Sequence, residues 1–500
     1  MIRGYAKSVA RNTAIMMIAQ IITWASSFVL MMFLPKYLGS SSYGELYLAI
    51  SIATMFQVII EFGGQYQITK EISRSRETAP HILVNSALTR IFLWSISIVL
   101  MLEFCRVANY AWPVPLLVVI LGTSKLWESI NSLLRNCYQG FELMEYPSIG
   151  SVVERTFLMV AAIIVLLAGS GQVMIAAIMA VSTLLNFMVS ASFSKKIIHF
   201  IPKINFRKAR LLLKEGIPYF MWSIFATIYY RVDVIMLSLM TAYSVVGWYG
   251  AAYKLFDVLM FFPSIFSQAL FPVLSRITET TKEGLTSAVQ KSLDIILFVG
   301  IPIAVLLFLF AQHITSFLFG LHDYQNSIII MKIFSVGLLL VYADFVLGST
   351  VLALDKQKFW SVIAGIAVVV NIALNYFLIP FYQKSTGNGG IGAAIATLVT
   401  ELFVMCSAIF MLKGRALGKI NFDLIIKEAL GGSIMAGTII LMRGIPIHWV
   451  IQALIGSLVY LVILFLLYAY EENLEIFSID YAAVIKNYFY AILYRGEAET

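Results

Sequence analysis

Four ionisable residues stand where a chain can least tolerate charge. Arg231, Asp233, Lys254 and Asp257 lie inside two apolar runs between Gly216 and Arg276, joined by a short uncharged turn. A charge at membrane depth is expensive, so it faces a partner or a watery cavity. A cation held there can pair with an anionic group that has left water. By the usual helical rise Arg231 sits about 23 Å beyond Gly216. Asp233 is two residues further on and so on another face of the helix, where the two do not neutralise each other. Lys254 and Asp257 fall at a similar depth on the next run. Two arrangements fit these charges. They close into one structural network between the runs, or they face a cavity and rearrange as it works.

Other charges are scattered through apolar sequence. Arg90 has no acid within four residues and reads as a headgroup contact or as a residue snorkelling to the interface. Lys125 and Glu128 are one turn apart and can pair locally, or contribute a cation to a headgroup and an acid to gating. Glu154 and Arg155 open an apolar run and read as interfacial. Asp344 and Glu401 are isolated acids that would carry a proton or sodium ion, or be satisfied in place. Asn371 and Asn375, one turn apart, read as packing contacts between helices.

The elements that position these residues follow from composition. Of 500 residues, 60% are hydrophobic and only 12% charged, against roughly 25% charged in soluble domains. About twenty apolar residues cross a bilayer, and on that scale fourteen spans are expected: 12–34, 43–63, 82–103, 114–135, 148–169, 172–193, 216–240, 246–273, 290–312, 326–352, 358–379, 390–412, 426–442 and 448–469. The runs are continuous, not alternating, so they are helices and not barrel strands. With the N-terminus in the cytoplasm, 25 of the 35 Lys and Arg fall on the cytoplasmic side, four on the other side and six within spans. That bias also accounts for the net charge of +8 without a nucleic acid partner. Both termini are expected to be cytoplasmic, and the first apolar run is expected to remain as an anchor. Pro263 and Pro302 are expected to kink their spans.

The chain repeats itself. Tyr37, Tyr43, Gly44 and Tyr47 recur as Tyr243, Tyr249, Gly250 and Tyr253, each 206 residues later. Ile175–Ala180 has a weaker counterpart at Ile391–Ala396. The expected organisation is a six-helix lobe (1–193), a basic linker on anionic lipid (194–215), a second six-helix lobe (216–413), two further spans (414–470) and a cytoplasmic tail (471–500). Six is even, so the lobes have the same orientation and are parallel repeats. The three cysteines and five histidines have no disulfide or metal-ligand spacing, so no metal or cofactor is expected. External connections of at most about thirteen residues leave no room for a catalytic domain, so an enzyme is not expected.

Three stretches carry a family resemblance: the paired openings Tyr37–Tyr47 and Gly216–Arg276; Asp233 with the terminal Phe271-Pro272-Val273-Leu274-Ser275-Arg276; and Asn371–Pro380 with Gly390–Glu401. Residues 1 to about 415 resemble the oligosaccharide flippases, or polysaccharide transporters, of the MOP exporter superfamily. The insertion 381–389 lengthens an external loop relative to many members. The resemblance implies two lobes around a central cavity lined by spans one, two, seven and eight. It implies a cell-membrane transporter that moves a polyprenyl-pyrophosphate-linked oligosaccharide to the outer leaflet, with membrane lipids and other polysaccharide-assembly proteins as neighbours. Arg231, Lys254, Arg90 and Lys125 are then headgroup candidates, and Asp233, Asp257, Glu128, Asp344 and Glu401 gating or ion-coupling candidates. The alternative within the superfamily is a cation-coupled drug exporter.

Overall fold

The structure, a computed structural model, describes residues 2–63, 68–69, 71–72, 79–197, 206–278, 282–414, 416–417 and 422–469. The tail 471–500 and part of the basic linker, 198–205, lie outside these. The described chain is helical. The helix Ile2–Glu61 is broken at Gly39, whose φ of 73° is a left-handed value that a β-carbon disfavours. It therefore forms two arms, α1 (2–38) and α2 (40–61). Then come α3 (Ala79–Val107), α4 (Val114–Gly140), α5 (Glu145–Leu167), α6 (Gln172–Ile197), α7 (Phe206–Met240), α8 (Tyr243–Leu259), α9 (Phe261–Ile277) and α10 (Lys282–Leu309). The short α11 (Ala311–Leu318) and α12 (Leu321–Tyr324) precede α13 (Ser327–Ala353), α14 (Gln357–Thr386), α15 (Gly389–Leu412), α16 (Phe422–Met442) and α17 (Trp449–Ala469).

Twelve helices among the described residues are long and apolar enough to cross a bilayer. The first of them contains both arms around Gly39, and α4 has the length but is made less apolar by Lys125, Glu128 and its Ser and Asn residues. Counting both arms and α4 gives the fourteen crossings expected. Two boundaries differ. α7 begins at Phe206, so the second part of the expected linker is its first turns. The eighth span is two helices, α8 and α9, interrupted at Met260.

That interruption has a local cause. Pro263 lacks an N–H and its ring crowds the carbonyl four residues back, at Leu259. The freed Leu259 carbonyl accepts the Tyr342 hydroxyl of α13 at 2.8 Å. The same arrangement recurs at Pro302, which sits inside an otherwise continuous α10. The carbonyl four residues back is Phe298, and it accepts the Tyr460 hydroxyl of α17 at 3.0 Å. In hydrocarbon an unpaired carbonyl is costly, so each proline comes with a tyrosine hydroxyl donated by a neighbouring helix.

The two halves pack alike. α6 lies against α4 and α5, and α15 lies against α13 and α14; α3 packs on α4 as α10 packs on α13. Gly392 brings α15 so close to α14 that a β-carbon there would strike the Leu378 carbonyl. α16 and α17 pack on each other, and α16 packs on α10. Met435, Ile439, Tyr460 and Leu464 form a separate apolar cluster with Phe310.

The repeated motifs meet. α2 and α8 cross at Gly44 and Gly247: a β-carbon on Gly44 would fall on the Tyr243 carbonyl, and one on Gly247 on the Ser40 carbonyl. Glycine allows backbones to approach to this distance. The lobes are also joined at this end by Tyr110 to Ser238, 2.6 Å between hydroxyl oxygens, and by Tyr324 of α12, whose hydroxyl donates to the Pro35 carbonyl at 3.1 Å. Tyr324 is fully buried against Tyr43 and Phe319.

Candidate site between the lobes

A cavity of about 210 Å³ lies between α2, α7 and α8, lined by Thr54, Thr227, Tyr230, Arg231, Tyr253 and Asp257 along with Ala226. It lies where the halves of the repeat face each other, and the repeat places Tyr47 and Tyr253 at equivalent positions. Arg231 lies within reach of both. Its Nη1 donates to the Tyr47 hydroxyl at 3.5 Å, and Tyr253 shares its cavity. Among the described residues no carboxylate comes within ion-pair distance of Arg231. Asp257, the acid in the same cavity, acts on it from further away. Lys254 is exposed and lies within electrostatic reach of Asp257 and Arg231.

The fourth charge of the group is elsewhere. Asp233 is 3% exposed. It points into the C-terminal lobe, where its Oδ2 accepts Tyr249 and Thr397 hydroxyls at 2.8 Å each and its Oδ1 accepts Asn375 Nδ2 at 2.6 Å. Asn375 Nδ2 also bonds Asn371 Oδ1 at 2.9 Å. The single four-charge network open to sequence reasoning therefore does not form. Arg231 and Asp257 line the cavity between the lobes, Lys254 is exposed within electrostatic reach of both, and Asp233 ties α7 to α8, α14 and α15. The two asparagines are packing contacts of a particular kind: they carry an amide donor to a buried acid.

On the N-terminal side, Lys125 Nζ meets Glu128 Oε2 at 2.8 Å, so this pair forms locally. Gln57 of α2 and Arg155 of α5 also act on Glu128, and Arg155 acts in addition on Lys254 of the opposite lobe. Arg155 thus lies within electrostatic reach of charged side chains on both lobes, a relation that its position in the sequence does not reveal. Glu154 turns the other way and accepts Asn186 Nδ2 at 2.6 Å.

Arg90 departs from both of its expected roles. It is 3% exposed, wedged between α3 and α4, with Nη1 donating to the Ser129 carbonyl and, at 2.6 Å, to Ser132 Oγ. It neither snorkels nor reaches the cavity. Asp344 and Glu401 come together on the wall of a second cavity of about 290 Å³ inside the C-terminal lobe. Among the described residues no group of three His, Cys, Asp or Glu side chains gathers to hold a metal ion.

The sequence profile of the polysaccharide biosynthesis protein family matches residues 9–278, which is 270 of the 500 residues. The chain belongs to that family. The MatE profile matches residues 218–377, within the second lobe. A probable low-salt glycan biosynthesis flippase, Agl15, of Haloferax volcanii is 21% identical over 78% of this chain and 80% of its own. A putative O-antigen transporter of Escherichia coli K12 is 22% identical over 82% of this chain and 98% of its own. Among solved structures, the lipid II flippase MurJ in an inward closed conformation superposes with a TM-score of 0.77 at 18% identity, covering 91% of this chain and 98% of that one. An inward-facing multidrug resistance MATE transporter of the MOP superfamily gives 0.66 at 14% identity, covering 78% and 98%. The fold is that of the MOP exporters, as the three sequence stretches implied.

Proposed function

We propose that this chain flips a polyprenyl-pyrophosphate-linked oligosaccharide from the cytoplasmic to the outer leaflet by alternating access. The observation that carries the reading is Arg231: a guanidinium on the wall of a cavity between two repeated lobes, with a tyrosine hydroxyl beside it and, among the described residues, no carboxylate at ion-pair distance. A planar fork of donors matches a phosphate oxyanion. Lys254 and Arg155 add cations from both lobes, so a headgroup there would be held by both at once. The tail would stay in lipid, since its transfer is not needed.

The contacts at the Gly44–Gly247 crossing and at Tyr324 close one end of the bundle. With both termini cytoplasmic, as the Lys and Arg bias supports, that end is the outer one. The bundle would then rock about the lobe boundary, opening the cavity to each side in turn. A proton or sodium ion moving in exchange is part of the proposal, as is a place among other polysaccharide-assembly proteins. The names of the glycan flippase and O-antigen transporter relatives support the substrate class. The second reading, a cation-coupled drug exporter, is favoured by the MatE match over residues 218–377. The cationic wall weighs against it, because a cationic drug would be repelled there.

The test is Arg231→Ala in cells that depend on this chain for a surface glycan. The variant should reach the membrane in normal amount and fail to support export. Normal export by that variant would remove Arg231 from the proposal. Increased drug tolerance conferred on a host stripped of its pumps, without glycan export, would favour the second reading.

A further inference from the structure

We infer that Asp344 and Glu401 form a carboxyl pair that binds one proton, at a site distinct from the cavity between the lobes. Asp344 on α13 and Glu401 on α15 are each 9% exposed, and both line the 290 Å³ cavity within the C-terminal lobe. Among the described residues neither oxygen of Asp344 has a donor, and the ionisable group acting on it is the Glu401 carboxyl. Glu401 has one donor, the Tyr229 hydroxyl, at 2.6 Å. Among the described residues no Lys, Arg or His lines this cavity. The titratable groups facing the pair are Tyr229 and Tyr230 of α7, with Asp233 acting on Glu401 from one turn further along. From α9 and α14 the walls present Ser267 and Trp360, which do not titrate.

Two anions side by side without a cation in a low-dielectric interior repel strongly. One proton removes that repulsion and supplies the donor that Asp344 lacks, as an O–H···O bond between the acids. The surroundings favour a proton over an alkali cation. An alkali ion gives up its hydration shell only for a full set of oxygen ligands. Here the Ser267 and Ser349 hydroxyls are bonded to each other at 2.5 Å, and Tyr229 is committed to Glu401.

The site borders the one between the lobes. Tyr230 and Ala226 belong to the walls of both cavities, and Arg231 follows Tyr230 on α7. A change in either cavity that turns or tilts α7 is therefore felt in the other. Resting on the transport reading above, the proton held by Asp344 and Glu401 is the ion exchanged for substrate, taken up in one orientation of the lobes and released to water in the other.

Infrared difference spectroscopy of the full chain in lipid vesicles, stepped through pH, tests the binding directly. The expected result is a carboxylic-acid C=O component that titrates as one proton. It should be lost in both Asp344→Asn and Glu401→Gln, persist at a shifted frequency in Asp344→Glu, and be unmoved when sodium replaces potassium at fixed pH. Asp344→Glu keeps the test open if the amide variants do not fold. The inference is overturned if the component is absent at every pH, if sodium displaces it, or if it survives in both amide variants. The readout needs no substrate. A titrating pair in a chain whose removal from the cell leaves glycan export intact would sink the transport reading and leave the proton site standing. Export by a chain lacking the component would do the reverse.

Discussion

Arg231 and Asp233 are two residues apart on α7 and serve different compartments. Arg231 crosses the lobe boundary to the Tyr47 hydroxyl at 3.5 Å, while Asp233 turns inward to Tyr249, Thr397 and Asn375. Two residues advance a helix by about 200°, enough to place one on each side. The opposite signs therefore do not cancel. The cation keeps its place on the cavity wall with no carboxylate at ion-pair distance among the described residues, and the acid is bonded to three helices of the lobe that carries it.

This separation gives different outcomes for the two positions. Arg231→Ala should weaken headgroup binding by about ten- to a hundredfold, the usual worth of a hydrogen-bonded charge, without lowering the melting temperature in detergent. Arg231→Lys keeps the charge and loses the fork, so it should fall between. Binding of a lipid-pyrophosphate to purified protein measures both.

Asp233→Asn should do the opposite. An amide presents a donor where Tyr249, Thr397 and Asn375 already donate, so the variant should lose about 1–3 kcal/mol of stability. The measurement is thermal unfolding in detergent. A variant as stable as the parent would show that the four-way contact holds little together.

The crossing of α2 and α8 allows no side chain. Gly44→Ala and Gly247→Ala each place a methyl group on a backbone carbonyl of the other lobe. The expected outcome is a shift of the population away from the arrangement that this crossing closes. A cysteine pair across that end, such as Ser40→Cys with Tyr243→Cys, should then cross-link several-fold less than in the parent glycine background. Unchanged cross-linking would mean the lobes do not separate there.

Tyr460 and Tyr342 each serve a carbonyl released by a proline. Tyr460→Phe should cost about 1 kcal/mol by leaving the Phe298 carbonyl unpaired. In a Pro302→Ala background that carbonyl regains its helical N–H, so the same change should cost much less. A double-mutant cycle reads the difference as a coupling energy. Additive effects would show that the tyrosine acts by packing alone.

The sequence determined that this chain is a fourteen-span helical bundle made of two parallel repeats. Both conclusions rest on periodic or compositional signals that need no partner: run length, continuity of apolar residues, the side on which Lys and Arg collect, and the spacing of Tyr43-Gly44 and Tyr249-Gly250. It also marked Arg231, Asp233, Lys254, Asp257, Asp344 and Glu401 as charges out of place. Which of them meet was not legible, because facing is decided by helix rotation and by contacts between elements 30 to 180 residues apart. Arg90 reads like Arg231 in sequence, yet it is buried against Ser129 and Ser132, while Arg155 reads as interfacial and looks across to Lys254. Asp344 and Glu401 read as two isolated acids, and only the packing of α13 on α15 puts them on one cavity wall. Tertiary structure settled each of these cases for one reason. A membrane makes charge costly everywhere along a span, but only the neighbouring helix determines how that cost is met.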